Sequence, residues 1–374
     1  MHTFDRDEVR ERLELAFNEV LLETPQGGCS LALYQDGKQL LSLHGGEASP
    51  GRAWEPSTPC LIWSASKGVA AACTLHALQN QGISLDIPVS EFWPEFASNG
   101  KERITLSSLL SHRAGLAAIE QKGLPITDHK SVAQALASQA PNWLHDETHG
   151  YGARTFGFLL DEIIRRVTGE SLASYWQKVF QSPLGLDLWF GLPESLVESA
   201  ATVIAPKTPP APGPFSVAFA NPSSLTRRAL SEPNSEKGTL TPSIMNTQEM
   251  RMASLPSLGA IATADSLARF YSRLASDGVG LFQPETLASM RTTLSKGQDR
   301  VLIAKTAFSA GFMTNDFGVY GNGKCSFGHP GAGGSLGFAD PELGLGFAFI
   351  PSAMHPGALP GTRTQKLVKA LYWN

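Results

Sequence analysis

Only 4 of the 374 residues are cysteine, at Cys29, Cys60, Cys73 and Cys325, and no two form a C-x-x-C pair. Spacing of that kind argues against both a zinc site and a disulfide framework. A buried free cysteine is ordinarily a small hydrophobe. Basic blocks are missing too. Lys plus Arg number 30 against 34 Asp plus Glu, a formal charge of −4, and nothing tracks phosphates along a strand, so no nucleic-acid partner is expected. No apolar run approaches the ~20 residues that cross a bilayer. The first residues, charged from Asp5 onward, contain no apolar export core, so the expectation is a cytoplasmic protein with no membrane span. The 9 histidines show no metal-ligand spacing, and neither a metal nor a cofactor is expected.

What is present is enough chain for one large catalytic unit with an inserted or appended lobe. Val9, Leu13, Ala16, Phe17 and Val20 recur at helical spacing and predict an amphipathic first helix that stops before Pro25. Two apolar runs then flank Asp36-Gly37, a hairpin-turn signal that starts a sheet early. From about Trp63 to Arg269 the pattern turns mostly helical, with helices ending at Gly82 and Gly169. Residues 205 to 245 are Pro- and Ser-rich and predict a long loop or lid. Strand chemistry returns in FGHPGAGGSLGFADPELGLGFAFIPSAM, with a turn at DPELG, and TRTQKLVKALYW predicts a closing helix. The arrangement reads as one sheet assembled from both chain ends, with a helical lobe against it. Residues 1–62 and 250–374 would form the sheet domain, and 63–249 the lobe.

Three serines compete as nucleophile. Ser335 lies in a literal G-x-S-x-G, Gly333 to Gly337, but a nucleophile elbow needs a helix directly after the serine. Here strand, turn and strand follow, so the glycines predict close backbone approach at a site edge instead. Ser64 and Lys67 stand three apart at the start of a predicted helix, on one face, where an amine reaches a hydroxyl. The helix N-terminus adds a positive end for an oxyanion, and burial can lower a lysine to the range of a base. The same spacing at Ser98 and Lys101 sits in a polar segment and predicts an exposed turn. Ser64 alone is equally compatible with an ordinary N-cap and Lys67 with a surface lysine.

Taken together, WSASKG at 63–68, LDIPVSEFWPEF at 85–96, ITLSSLLSHRAGL at 104–116, YGARTFGFLLDEII at 151–164 and FGHPGAGGSLGFADPE at 327–342 resemble the serine β-lactamase and penicillin-binding-protein superfamily. The likeness is specifically to the class C β-lactamase-like branch that includes family VIII carboxylesterases, and it covers about Gly28 to Met354. The resemblance implies an α/β (α+β) fold of the β-lactamase/transpeptidase type: an antiparallel sheet flanked by N- and C-terminal helices, with an inserted, mainly helical lobe. It implies Ser64 as nucleophile, Lys67 as its base and Tyr151 as a proton shuttle, either as tyrosinate or hydrogen-bonded to Lys67. The family's K-T-G position is matched by His329-Pro330-Gly331 on a predicted edge strand. The oxyanion hole would combine the N–H groups of Ser64 and Ala332, since Pro330 has none. Lys305-Thr306-Ala307 and Tyr320-Gly321-Asn322 imitate family motifs at the wrong places. His112 is expected to be a structural histidine and His149 to line the cleft mouth.

Two departures bear on substrate. Ala153 stands where relatives often carry the Asn of Y-x-N, and His329 replaces the lysine of K-T-G. In β-lactam-processing relatives those side chains hold the substrate's amide and carboxylate. The expected activity is therefore hydrolysis of a small-molecule carboxylic ester through an acyl-enzyme on Ser64. An acyltransferase, a β-lactamase or D-amino-acid peptidase, and a catalytically silent binding protein are the alternatives. Oligomeric state and acyl specificity have no signature.

Overall fold

The computed structural model describes residues 4–24, 26–276, 280–357 and 359–372. The first helix, Arg6–Leu22, is capped by the Asp5 carboxylate and buries the five residues of its apolar stripe; Pro25 lies outside the described residues. Strands β1 (Gly28–Gln35) and β2 (Lys38–Ser49) form the hairpin. Its turn residues Asp36 and Gly37 both take positive φ, 50° and 75°, as a tight two-residue hairpin turn requires.

The remaining strands are short β3 (Arg52–Ala53), β4 (Cys60–Leu61), β5 (Leu188–Trp189) and β6 (Ile261–Ala262), then β7 (Ser295–Gln298), β8 (Lys305–Phe308), β9 (Met313–Thr314), β10 (Phe327–Pro330), β11 (Leu336–Asp340) and β12 (Leu345–Pro351). One sheet of nine strands runs β3-β2-β1-β12-β11-β10-β9-β8-β7, so β1 pairs directly with the last strand. A second, three-stranded sheet, β4-β6-β5, carries the chain into and out of the central helical segment. The strand holding His329 is thus interior, not the expected edge. Its partner β9 pairs only with Phe327 and Gly328, and the His329-Pro330 end runs on unpaired on that side.

Alternation along the central strands separates two cores. Leu31, Leu33, Phe347 and Phe349 face one side with Val9, Phe17 and Leu367, which come from the first helix and the last, Thr362–Leu371. Trp373, at the end of the expected closing helix, lies outside the described residues. Ala32, Ala348 and Ile350 face the other side with Leu267 and Ala268 of helix Ala264–Ala275. On the second face Ala32 and Ala348 are small enough to let that helix lie close. Each buried Leu or Phe contributes about 1.5–3 kcal/mol by leaving water.

Helix Ser66–Asn80 is buried from Ser66 through Leu78. Apart from Lys67 and His76 its buried residues are apolar or small, so it is a core helix rather than a surface one, packed on helix Thr155–Thr168. The expected loop at 205–245 is partly helical: Pro214–Ala220, Leu225–Ser231 and Pro242–Met245. Proline at the first turn is compatible with a helix because that N–H has no intrahelical partner.

Candidate active site

The chain leaves β4, turns through a 3₁₀ segment at Trp63–Ala65, and enters helix Ser66–Asn80. Trp63 has φ 49°, a left-handed conformation unfavourable for an aromatic residue, which persists only where its surroundings enforce it. Here they do. The Ser66 hydroxyl donates to the Trp63 carbonyl at 2.5 Å and accepts from the Ala260 N–H at 3.0 Å. The Ile62 N–H donates to Ala260 O at 3.0 Å, and the Ser335 hydroxyl donates to Ile62 O at 2.7 Å. The strained turn presents Ser64, which is half-buried and reachable.

Lys67 is fully buried. Its Nζ lies 3.2 Å from Ser64 Oγ, 2.8 Å from the Ala153 carbonyl and 2.7 Å from the Ser257 carbonyl. Burial holds the amine well below the ordinary lysine range, because an ammonium loses its hydration there. A neutral amine has two N–H groups and one lone pair. The two carbonyls take the N–H groups, and the lone pair is left for the Ser64 hydroxyl.

Tyr151 packs beside this pair, with the amine 4.7 Å from its ring centroid. Burial pushes its phenol up, and the nearby Ser64 hydroxyl pulls the other way without closing a hydrogen bond: the Tyr151 hydroxyl has no partner among the described residues. The expected hydrogen bond to Lys67 is therefore absent, and burial disfavours a tyrosinate. The backbone of Tyr151 is anchored instead. Asp299 Oδ1 accepts its N–H at 3.2 Å and those of Val301 and Leu302 at 2.8 and 2.9 Å.

His329 stacks on Tyr151 at 5.8 Å between ring centroids. Its Nδ1 is 2.7 Å from the Pro330 carbonyl, which assigns the proton to Nδ1 and leaves a lone pair on the buried, unpartnered Nε2. Burial pushes its pKa down to about 3, so the ring is neutral. His112 is the opposite tautomer. The Gly152 N–H donates to its Nδ1 at 3.2 Å, which puts the proton on Nε2, and its ring lies 5.2 Å from that of Tyr151.

Gly331 explains how the strand end meets the serine. A Cβ there would fall 2.1 Å from Ser335 Oγ and 2.4 Å from Ile62 O, so only glycine lets β10 close onto the Ser64 turn. Next to it, Ala332 is half-buried, and its N–H has no acceptor among the described residues.

Ser64, Lys67, Tyr151, His329, Gly331 and Ala332 thus converge, while several expectations change. Ser335 is buried and braces the turn before Ser64. His149 is buried rather than at the cleft mouth, bonded to Thr306 Oγ1 at 2.8 Å. At the second S-x-x-K, Ser98 is exposed but Lys101 is buried. Asp299, Ser66 and Ser257 were not singled out in the sequence. An Asp before a turn is a local cue for Asp299, but its link to Tyr151 spans 148 positions. Burial favours a neutral amine beside the serine hydroxyl and a protonated phenol, and groups of that kind with a free backbone N–H can act as a base, an acid and an oxyanion donor.

Residues 17–371 match the family described as Beta-lactamase. A Mycobacterium tuberculosis protein named Esterase/beta-lactamase LipL is 30% identical over 338 residues, 87% of this chain and 76% of that relative. Among solved structures, a penicillin-binding protein homolog from Caulobacter crescentus aligns with TM-score 0.88 at 30% identity, covering 97% of this chain and 96% of its own. A family VIII carboxylesterase aligns with TM-score 0.87 at 28% identity over 97% of both chains. The fold is that of β-lactamases and transpeptidases.

Proposed function

The chain belongs to the Beta-lactamase family as a β-lactamase-fold serine hydrolase, and on that premise we propose that it cleaves small-molecule carboxylic esters through an acyl-enzyme on Ser64. The observation that carries the reading is the Lys67 amine, dry, flanked by two carbonyls and 3.2 Å from Ser64 Oγ.

In the proposed mechanism Ser64 Oγ attacks the ester carbonyl carbon as its proton passes to the Lys67 lone pair. The tetrahedral oxyanion rests on the N–H groups of Ser64 and Ala332. Collapse breaks the bond to the alkoxide, which takes a proton from the Tyr151 phenol; Lys67 returns a proton to Tyr151. Water then attacks the acyl-enzyme as its proton passes to Lys67, and Lys67 gives that proton to Ser64 Oγ as the acyl bond breaks, which restores the serine and the neutral amine and releases the carboxylic acid.

Ester rather than β-lactam as substrate is supported by the neutral His329 and by Ala153, which offer no cation or amide for a β-lactam's carboxylate and amide. Two of the similar proteins carry esterase names; the LipL name includes β-lactamase as well. The test compares p-nitrophenyl butyrate with nitrocefin on wild type and Ser64→Ala. The expected result is ester turnover that Ser64→Ala lowers by roughly 10⁴-fold or more, with kcat/KM for nitrocefin at least ~100-fold lower than for the ester. Nitrocefin turnover equal to or above ester turnover would overturn the assignment.

A further inference from the structure

Ser257 lies outside the motifs, yet three parts of the candidate site meet at it. Its carbonyl accepts from Lys67 Nζ at 2.7 Å. Its hydroxyl donates to the Arg154 carbonyl at 2.8 Å and accepts from the Gly157 N–H at 2.6 Å. Gly157 is the third residue of helix Thr155–Thr168, whose N-cap residue Arg154 supplies no side-chain cap. The orphan N–H is therefore capped by a hydroxyl 100 positions away.

The contact is tight: a Cβ on Gly157 would fall 2.3 Å from Ser257 N and 2.8 Å from Ser257 Oγ. Ser257 is 3% exposed, so water has no ready access to replace the hydroxyl. Directly before that helix run Tyr151, Gly152 and Ala153, and Ala153 contributes the second carbonyl on Lys67. One residue thus fixes the amine through its main chain, and through its side chain the segment that brings both Tyr151 and the other carbonyl.

We propose that Ser257 is a positioning residue for acylation: it locks together the two carbonyls that occupy the Lys67 N–H groups, and so keeps the lone pair on Ser64. The inference rests on the reading of Lys67 as the base for Ser64. With the hydroxyl gone, the Arg154 and Gly157 backbone groups lose their partner. The Ser257 and Ala153 carbonyls then drift apart, and the amine can turn an N–H toward the serine, which has no use for one. Chemistry slows while substrate binding is untouched.

The experiment measures kcat, KM and thermal midpoint for p-nitrophenyl butyrate with wild type, Ser257→Ala, Ser257→Cys, Ser352→Ala and Ser64→Ala. Ser352 is the control: its buried hydroxyl likewise bridges a backbone N–H and a carbonyl, those of Gly28 at 3.0 and 3.1 Å, but on the sheet between β1 and β12. The expected result is a lowered thermal midpoint in both alanine variants, with kcat falling about 10- to 100-fold only in Ser257→Ala and KM staying within about twofold. Ser257→Cys, which keeps the side-chain size and a weak donor, is expected to fall in between. If Ser257→Ala does not fold, an unchanged kcat in Ser257→Cys overturns the proposal. So does a wild-type kcat in folded Ser257→Ala, or an equal loss in Ser352→Ala. Ester turnover that survives in Ser64→Ala would instead bring down the underlying reading of Ser64 and Lys67.

Discussion

At Ser64 and Lys67 the amine meets the hydroxyl at 3.2 Å; at Ser98 and Lys101 the same spacing sends the two heads to different partners. Lys101 Nζ donates to the Ser98 carbonyl at 2.5 Å and to that of Gln139, while the Ser98 hydroxyl donates to Glu95 O at 3.0 Å. Asn99 and Gly100 between them take left-handed φ of 58° and 81°, which reverses the chain where the first copy winds into a helix. Both lysines are buried. A lysine three residues after a serine becomes a candidate base only when the backbone puts both on one face and other acceptors take the remaining N–H groups. Lys101 is a structural lysine that satisfies turn carbonyls.

The sharpest way to break that contrast is to remove each amine. Lys67→Met is expected to lower kcat for an ester by roughly 10³-fold while the protein stays folded. Lys101→Met leaves the Ser98 and Gln139 carbonyls short of a donor and is expected to cost about 1–3 kcal/mol of stability, with kcat unchanged. Denaturant unfolding alongside steady-state kinetics reads both. If Lys101→Met were the catalytically dead variant, the distinction would be wrong.

A smaller effect separates the interior of the site from its surroundings by pH. Folded His329 is held at about 3 against an ordinary 6.5. Between those values the unfolded chain binds a proton that the folded chain refuses, so stability falls as pH drops below 6.5 and is unaffected above it. The slope approaches about 1.4 kcal/mol per pH unit. His329→Gln removes that contribution, and its thermal midpoint is expected to fall less than that of wild type between about pH 7 and pH 5. His112, also held well down by burial, keeps some slope in the variant. Parallel pH curves for the two proteins would mean that His329 accepts protons freely.

Much of this was legible in the sequence where the physics is local. The Asp36-Gly37 turn, the αL glycine that ends helix Thr155–Thr168 at Gly169 and the Ser64-x-x-Lys67 pairing all depend on neighbours within a few residues. The short helices inside 205–245 were hidden by proline, which reads as loop unless its place at a first turn is known. The interior place of β10 depends on β9, two residues long and too short for any periodicity. Asp299, Ser66 and Ser257 act through backbone groups far away in sequence, where side-chain type carries no signature. Tyr151 lies beside Lys67, but the partner expected for its hydroxyl is engaged elsewhere: Lys67 is occupied by Ser64 and two carbonyls.

If Lys67 serves Ser64 as a neutral amine, the pH dependence of the acylation rate reports it. A base acts only when unprotonated, so an amine held well below the ordinary lysine range by burial places the rising limb of the rate at correspondingly lower pH. Burst kinetics with p-nitrophenyl butyrate are predicted to level off in wild type well below the pH at which an ordinary lysine titrates, with no such limb in the residual rate of Lys67→Met. A burst rate still climbing tenfold per unit toward pH 10 would mean that Lys67 is an ordinary charged lysine, and would contradict the account.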